Sequence, residues 1–212
     1  ASRAAGGEGV QPRRASTLVR VTETQDAPAA DDLPEQLRVR RAKRDRIIAA
    51  GGEAYPVGVE VTHEIEAVKR AYDGLEDGVE TDDIVGVAGR VVFVRNTGKL
   101  CFAAIQDGLG NRLQIMLSLD AVGEEQLAAF KTDVDLGDHL FAKGRAGKSR
   151  RGEVSVFASS FAIASKALRP LPVLHKDLAE DTRVRQRYVD LIVRPLARET
   201  ARNRSHLLRS VR

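Results

Sequence analysis

The chain has 212 residues, 42% of them hydrophobic, and carries 34 Lys and Arg against 30 Asp and Glu, a net charge of +4. Its single cysteine, Cys101, excludes an intramolecular disulfide framework and a cysteine-rich zinc module. No apolar run reaches the roughly 18 residues of a membrane span, and no signal peptide opens the sequence. The composition therefore favours a globular chain of one or two domains.

The first segment, residues 1–31, is predicted to be a disordered linker. Gly, Pro, Ala, Ser and Thr dominate it, and no sustained apolar period runs through it. The chain begins with Ala and not Met, so we expect a linker within a longer polypeptide, with a processed N-terminus as the alternative.

A strongly basic helix is predicted to open the next segment, residues 32–83. Asp31 or Asp32 can cap its N-terminus, and Gly51-Gly52 ends it. Its inward side is predicted to consist of Leu37, Ala42 and Ile48. Six of nine consecutive residues are positive: Arg38, Arg40, Arg41, Lys43, Arg44 and Arg46. A charge run is usually a solvated helix face, but this density favours a helix that faces phosphates.

The second part of this segment, residues 60–83, reverses the sign of the charge. It has nine acidic side chains against Lys69 and Arg70, and we predict a solvated face or loop. Only His63 offers a nitrogen ligand and the carboxylates are scattered, so no metal-ligand spacing is present.

From Ile84 onward the apolar residues recur at every second position, which predicts β-strands. The predicted strands cover residues 84–95, 100–106, 111–118, 139–146 and 153–158, with 161–164 as an alternative extension of the last. A helix is predicted over 120–131, capped by Asp120. Its inward residues are predicted to be Leu127, Ala128 and Phe130.

Three strands, a helix and two further strands follow the order of an OB-fold. The predicted fold class is therefore mainly β: a five-stranded OB-fold barrel over residues 84–165 with a preceding basic helix, a helix between strands three and four, and a helical C-terminal connector. An SH3-like barrel is the main structural alternative, but it rarely has a helix at this position. OB-folds largely bind nucleic acids and sugars.

The last segment, residues 166–212, is predicted to be an extended connector followed by helices. Leu168 to Pro172 reads LRPLP, an extended sequence. A helix over 181–193 is predicted to place Val184, Tyr188, Leu191 and Ile192 on one side. Pro195 interrupts it, and a further helix over 197–212 stops without a cap, so we expect the sequence to be a fragment.

The alternation of side chains assigns an outward face to the second and third strands. The inward residues are predicted to be Cys101, Ala103, Ile105, Leu113, Ile115 and Leu117, and the outward ones Phe102, Ala104, Gln106, Arg112, Gln114 and Met116. Phe102 and Gln114 would then share a solvent face beside Arg95. A ring, an amide and a guanidinium suit the recognition of an unpaired base. In the alternative interpretation, Phe102 fills a minor cluster under the N-terminal helix and Gln114 is merely solvated.

Other candidate sites are weaker. Gly147-Lys148-Ser149 resembles the end of a phosphate-binding loop, but it joins two strands and is interpreted as a basic hairpin. The four histidines have no triad partner or ligand spacing: His63, His139, His175 and His206. Cys101 lies on the inward side as a core residue, and no pair of carboxylates suggests acid–base catalysis. No catalytic residue and no metal ligand is therefore predicted.

Several motifs run in the order seen in bacterial class II lysyl-tRNA synthetases, which the chain resembles over residues 32–212. They include DLPEQLRVRRAKRDR at 32–46, RLQ at 112–114, DLGD at 135–138, KALRPLP at 166–172 and RQRYVDLI at 185–192. The last two are the most specific, because aspartyl and asparaginyl relatives share the barrel but not that spelling.

The resemblance implies that the barrel binds the anticodon of a lysine tRNA. Phe102 would stack on the central uridine, Gln114 would read its edge, and Arg95 matches an arginine of the first strand. Glu153 matches an acidic residue that approaches the anticodon loop. The tRNA backbone would be contacted by Arg38, Arg41, Lys43 and Arg44.

The resemblance does not extend to catalysis, because only the start of the first class II motif is present, at residues 201–212. The chain is therefore expected to bind tRNA without a cofactor, whereas ATP and magnesium would serve the catalytic domain of a longer parent. Two alternatives remain open: a generic single-strand-binding OB module, and a structural domain that supports a dimer.

The linker resembles the one in bifunctional lysylphosphatidylglycerol synthases, where a membrane domain precedes a lysyl-tRNA synthetase. This predicts a parent at the cytoplasmic face, anchored in the membrane only through its upstream domain, whereas the fragment would be soluble. The parent is expected to be a homodimer, and the fragment a monomer or a weak dimer.

Overall fold

A computed structural model describes residues 34–172 and 178–212. The helices are α1 (Glu35–Ala49), α2 (Ile65–Tyr72), α3 (Leu119–Asp133), α4 (Glu180–Arg185), α5 (Arg187–Val193) and α6 (Pro195–Val211). The strands are β1 (Glu80–Asn96), β2 (Leu100–Gln106), β3 (Arg112–Ser118), β4 (His139–Lys148) and β5 (Val154–Ser165). The predicted linker, the predicted caps Asp31 and Asp32, and His175 lie outside the described residues.

The five strands form a closed barrel in the order β1-β2-β3-β5-β4. All pairs are antiparallel except β3 with β5, and α3 lies between β3 and β4 in the chain. At Gly144 the paired strand β5 passes so close that a Cβ atom would lie 2.1 Å from the carbonyl oxygen of Phe157, which requires a glycine. The predicted mainly β OB-fold barrel is thus confirmed.

The barrel core is aliphatic, as the alternation in β2 and β3 predicts. Cys101, Ala103 and Ile105 are fully buried, and so are the three inward residues of β3. Phe130 of α3 is 1% exposed and packs edge-on against Phe161 of β5, with ring centroids 5.4 Å apart. Helix α3 therefore contributes an aromatic side chain to the core as well as connecting two strands.

Helix α1 ends as predicted but packs differently. It ends at Ala49, and Gly51 follows with a φ of 80°. Leu37 is half-buried, but Ala42 and Ile48 are exposed, so their predicted inward position is wrong. The buried residue is Arg40, which donates to the carbonyl oxygens of Leu136 (2.8 Å) and Ala167 (2.9 Å). The helix faces polar loops, and charged side chains therefore make its contacts.

The acidic segment contains a helix that sequence reasoning missed. Helix α2 is amphipathic, and its Ile65 and Val68 are buried in the barrel core. Its neighbours Glu64 and Glu66 are exposed. Because the prediction for this segment relied on its many acidic residues, it missed the helical spacing of Ile65 and Val68. Strand β1 also begins at Glu80, four residues before the predicted start.

Helix α3 begins at Leu119, so Asp120 lies in its first turn and is not its cap. Ala128 is exposed, whereas Val122, Leu127 and Phe130 are buried. Gly123, with a φ of 82°, breaks the helix and shifts the face presented by its first turn. Val122 is therefore the buried residue that the prediction missed, and Ala128 is the one that it placed wrongly.

The predicted helix over 181–193 is divided at Gln186 into α4 and α5. Val184 and Tyr188 are exposed, in contrast to the prediction, and Leu191 and Ile192 are half-buried. The buried residues are Val189 and Asp190. Asp190 accepts hydrogen bonds from Arg187 (2.6 Å) and Arg194 (2.9 Å), so a charged residue outside the predicted apolar set is buried. The division changes which side of the segment is inward.

A buried polar cluster joins α1 to the end of β5 and to the loop before β4. Lys166, which is 2% exposed, donates to the carbonyl oxygen of Asp133 and to a carboxylate oxygen of both Asp135 and Asp138, each at 2.6 Å. Asp138 also accepts the backbone N–H groups of Asp135 (2.7 Å) and Ala167 (2.8 Å). Every charge in this cluster therefore has a partner of the opposite sign.

Acid should weaken this cluster through Asp135, whose carboxylate also accepts from Lys43 (2.7 Å). Burial by itself raises the pKa of Asp135, but hydrogen bonds and charges from Lys166 and Lys43 outweigh it and lower the pKa overall. A carboxyl with a folded pKa below its unfolded value of about 3.9 stabilises the fold above that value. This contribution is lost as the pH falls through the folded pKa.

We therefore expect the free energy of unfolding of the wild type to fall more steeply below about pH 4 than that of Asp135→Asn. Urea titrations at neutral pH and at a series of acidic pH values measure this difference. An equally steep decrease of the unfolding free energy with falling pH in the two proteins would contradict this prediction.

Candidate nucleic-acid interface

One groove on the outer surface of the barrel brings together the four predicted base-reading residues. The strand registers place Arg95 opposite Phe102, Phe102 opposite Met116, and Met116 opposite Phe157. A neighbouring row places Ala104 opposite Gln114. Gln114 is therefore a diagonal neighbour of Phe102, about 7 Å away by sheet geometry. Arg95, Phe102, Gln114 and Glu153 all line this groove.

All four side chains can be reached from the solvent. Arg95 and Glu153 are exposed, and Phe102 and Gln114 are half-buried. Phe102 is thus on the outer side of β2, where the alternation predicts it. Gln106, two positions beyond Ala104 on the same side, is only 6% exposed because α5 covers it.

The hairpin between β4 and β5 carries Glu153 to the groove. Ser149 donates its backbone N–H to the carbonyl oxygen of Glu153 (2.8 Å), and the Glu153 N–H donates to Ser149 Oγ (3.2 Å). Lys148 anchors the hairpin by donating to the carbonyl oxygens of Asp73 (3.0 Å) and Leu75 (3.2 Å). The segment around Lys148 therefore joins two strands, β4 and β5, as predicted for a basic hairpin.

Sequence reasoning missed two further aromatic side chains in the groove, Phe93 and Phe157. Phe93 is 53% exposed and lies opposite Ala104, after a bulge in β1. Phe157 lies beside Met116 through the parallel pairing of β3 with β5. Because the flanking Val156 and Ala158 are buried, the alternation in β5 could have predicted that Phe157 points outward. It could not have predicted that Phe157 lies next to β3, since that depends on the pairing of the two strands.

Several basic side chains of α1 form ion pairs with acidic residues of the same chain. Lys43 pairs with Asp135, and Arg46 pairs with Asp133. Arg38 and Arg44 pair with acids of their own helix, Glu35 and Asp45. Part of the positive charge of α1 is therefore engaged in ion pairs within the protein. The predicted contact of Arg38, Arg41, Lys43 and Arg44 with the tRNA backbone stays a prediction.

Comparisons with known proteins agree with this geometry. The family model for tRNA anti-codon domains, described as an OB-fold nucleic acid binding domain, matches residues 85–164. The chain is 62% identical over 182 residues to the lysine–tRNA ligase of Kineococcus radiotolerans, covering 86% of this chain and 36% of that protein. The chain contains an anticodon-binding OB-fold domain homologous to that of the lysyl-tRNA ligases. It corresponds to the N-terminal part of these class II proteins, as its motifs predict.

Other relatives place this anticodon-binding domain in longer proteins. The lysine–tRNA ligase of Mycolicibacterium gilvum is 58% identical over 187 residues, 88% of this chain and 37% of that ligase. The lysylphosphatidylglycerol biosynthesis bifunctional protein LysX of Nocardia farcinica is 39% identical over 180 residues, 84% of this chain and 15% of that protein. The chain thus spans about a third of the length of the lysine–tRNA ligases it matches.

In the part of the chain that the structure describes, every helix is too short or too polar to span a bilayer. Across residues 34–172 and 178–212, no group of three or more His, Cys, Asp and Glu could hold a metal ion.

Proposed function

We propose that this chain binds the anticodon arm of a lysine tRNA and reads the central uridine in the groove of Phe102. The single observation that carries the proposal is the juxtaposition of Arg95, Phe102 and Gln114 on the outer surface of an anticodon-type OB barrel. High identity to lysine–tRNA ligases supports lysine tRNA as the partner.

Each of the three side chains suits a different part of a nucleotide. The ring of Phe102 offers a stacking surface that any base can use. The amide of Gln114 has both a donor and an acceptor, which matches the edge of uracil, where N3–H donates and the flanking carbonyls accept. Arg95 can neutralise a phosphate or stack on a base, because its guanidinium is planar and always charged.

Glu153 adds selectivity to the proposed site. A carboxylate near RNA phosphates repels them, so it opposes binding unless a base donates a hydrogen bond to it. Glu153 lies on the hairpin at the edge of the groove, beside the exposed Arg150 and Arg151. In the proposed complex these arginines attract the backbone, and Glu153 favours bases that present a donor.

The proposal predicts that Phe102→Ala loses about 1–3 kcal/mol of binding to a labelled anticodon hairpin, because one base stack is lost. Binding is measured with the cognate hairpin and with one in which the central uridine is replaced, each at two salt concentrations. Wild type is expected to discriminate between them at both salts, and Phe102→Ala to bind both hairpins more weakly, because every base can stack on the ring.

Tyr55→Ala is the matched control, because Tyr55 is also a half-exposed aromatic residue but does not line the groove. It is expected to bind like wild type. Equal binding of both hairpins with a steep salt dependence would instead indicate a generic single-strand-binding module. A dimer without measurable RNA affinity would indicate a structural domain.

For the longer protein we propose ATP-dependent ligation of lysine to its tRNA, with ATP and magnesium in a catalytic domain, on the basis of the longer lysine–tRNA ligases. Homodimerisation belongs to this proposal. Fusion to a membrane-bound lipid lysyltransferase stays a prediction, supported by the similarity to the bifunctional protein of Nocardia farcinica.

A further inference from the structure

A second cleft lies where the C-terminal helices meet the open end of the barrel. It is lined by Arg90 and His139 of the barrel, by the turn after β2, and by Arg198 and Arg202 of α6. Arg112 at the start of β3 is close enough to contribute charge. The residues that line this cleft do not line the groove of Phe102, whereas the nearby Arg112 lines that groove.

Among the described residues, the cleft is lined by Arg90, Arg198 and Arg202 against a single acidic residue, Asp107. Asp138 lies close enough to act on Arg90. Asp107 accepts hydrogen bonds from the backbone N–H groups of Leu109 and Asn111 (2.8 Å each) and from Asn111 Nδ2 (2.9 Å). Burial and the neighbouring Arg202 and Arg112 lower the pKa of Arg198, against the opposing charge of Asp107. Like charges are thus held together, and an anion would relieve their repulsion.

The arginines of α6 are placed by contacts with the barrel and with α5. Arg198 donates to the carbonyl oxygens of Leu191 (2.9 Å) and Ile192 (2.8 Å). Gly110 has a φ of 95°, and a Cβ atom there would lie 2.8 Å from Nη2 of Arg198, so the glycine leaves room for the guanidinium. Arg202 remains exposed, and among the described residues it has one long contact, of 3.4 Å, to the carbonyl oxygen of Gly108.

Strand β2 connects this cleft to the base-reading groove. Phe102, Ala104 and Gln106 lie on the same side of β2. Helix α5 covers Gln106, which lines the cleft, whereas its cross-strand neighbour Arg112 is exposed and lines the groove. Four residues of strand span about 13 Å, roughly the rise of four stacked nucleotides. A nucleic-acid strand with one base on Phe102 can therefore bring the phosphates of its neighbours to the arginines.

We propose that this arginine cleft binds backbone phosphates of the RNA whose base occupies the Phe102 groove, outside the triplet that is read. The inference rests on the proposed function and adds to it a sequence-independent contact. The cleft positions the RNA, while the groove specifies the base.

The test is the salt dependence of hairpin binding by Arg202→Gln in the full 212-residue chain. Loss of one phosphate contact is expected to reduce the slope of log affinity against log salt by about 1 and to weaken both hairpins equally. Between about 50 and about 200 mM salt, the variant should therefore lose about fourfold less affinity than wild type. Discrimination of the central uridine should be unchanged.

Arg204→Gln is the matched control, since Arg204 is exposed on the same helix but does not line the cleft. It should retain the wild-type slope. A wild-type slope for Arg202→Gln, or equal reductions for both variants, would overturn the phosphate cleft while leaving uridine reading intact. If wild type binds neither hairpin, both the proposed function and the proposed phosphate contacts of the cleft are wrong. Equal melting temperatures of the variants and wild type verify that folding is unaffected.

Discussion

Replacing Lys166 by Met should lower the free energy of unfolding by about 3–5 kcal/mol, the usual result of removing one partner of a buried ion pair. The side chain of Lys166 is fully buried, and so is that of Asp138, one of its two carboxylate partners. Methionine retains the apolar stem but leaves the Asp138 charge without its cation. The remaining N–H donors of Asp135 and Ala167 do not neutralise that charge.

Urea unfolding at neutral pH measures this loss, with Lys99→Met as the control, because Lys99 is an exposed lysine. The control should change stability by no more than about 0.5 kcal/mol. A double variant with Asp138→Asn should lose less than the sum of the two single variants, since the buried negative charge is then gone. If Lys166→Met were as stable as Lys99→Met, the cluster would contribute nothing to the fold.

Phe130→Ala should cost a similar amount, about 3–5 kcal/mol, through the cavity that it leaves. Phe130 is 1% exposed and meets the edge of Phe161, so α3 and β5 have few ways to fill the space. Its neighbours in the core are largely β-branched and fixed in strands, which limits their relaxation.

The same unfolding measurement tests this loss. Gln126→Ala is a control on an exposed position of α3 and should remain near wild-type stability. Phe130→Leu should recover much of the loss, because it restores most of the buried volume. Full stability of Phe130→Ala would show that α3 is not needed to complete the barrel core.

The barrel could be predicted from the sequence because its signals are local. Alternation in β2 assigns Cys101 inward and Phe102 outward without knowledge of the rest of the fold, and the structure agrees. The same alternation in β3 places Gln114 outward, and two adjacent antiparallel strands bring it beside Phe102. The order of strands and helix then indicates the OB-fold.

The polar contacts could not be predicted, because their partners are distant in sequence. Arg40 donates to carbonyl groups 96 and 127 residues away, so an apolar period could not show that it would be the buried residue of α1. Phe157 joins the groove only through the parallel pairing of β3 with β5. The arginine cleft likewise forms where α6 meets the turn after β2.

Local patterns in the sequence predict the strands, the aliphatic core of the barrel and the outward side of Phe102 and Gln114, since alternation is a property of each strand alone. The identity of the buried charges, the carboxylate partners of Lys166 and the position of Arg198 and Arg202 against the barrel depend on tertiary packing. A buried charge is stable only where the fold supplies its partners, and those partners are brought together by the closure of the barrel and the packing of its helices.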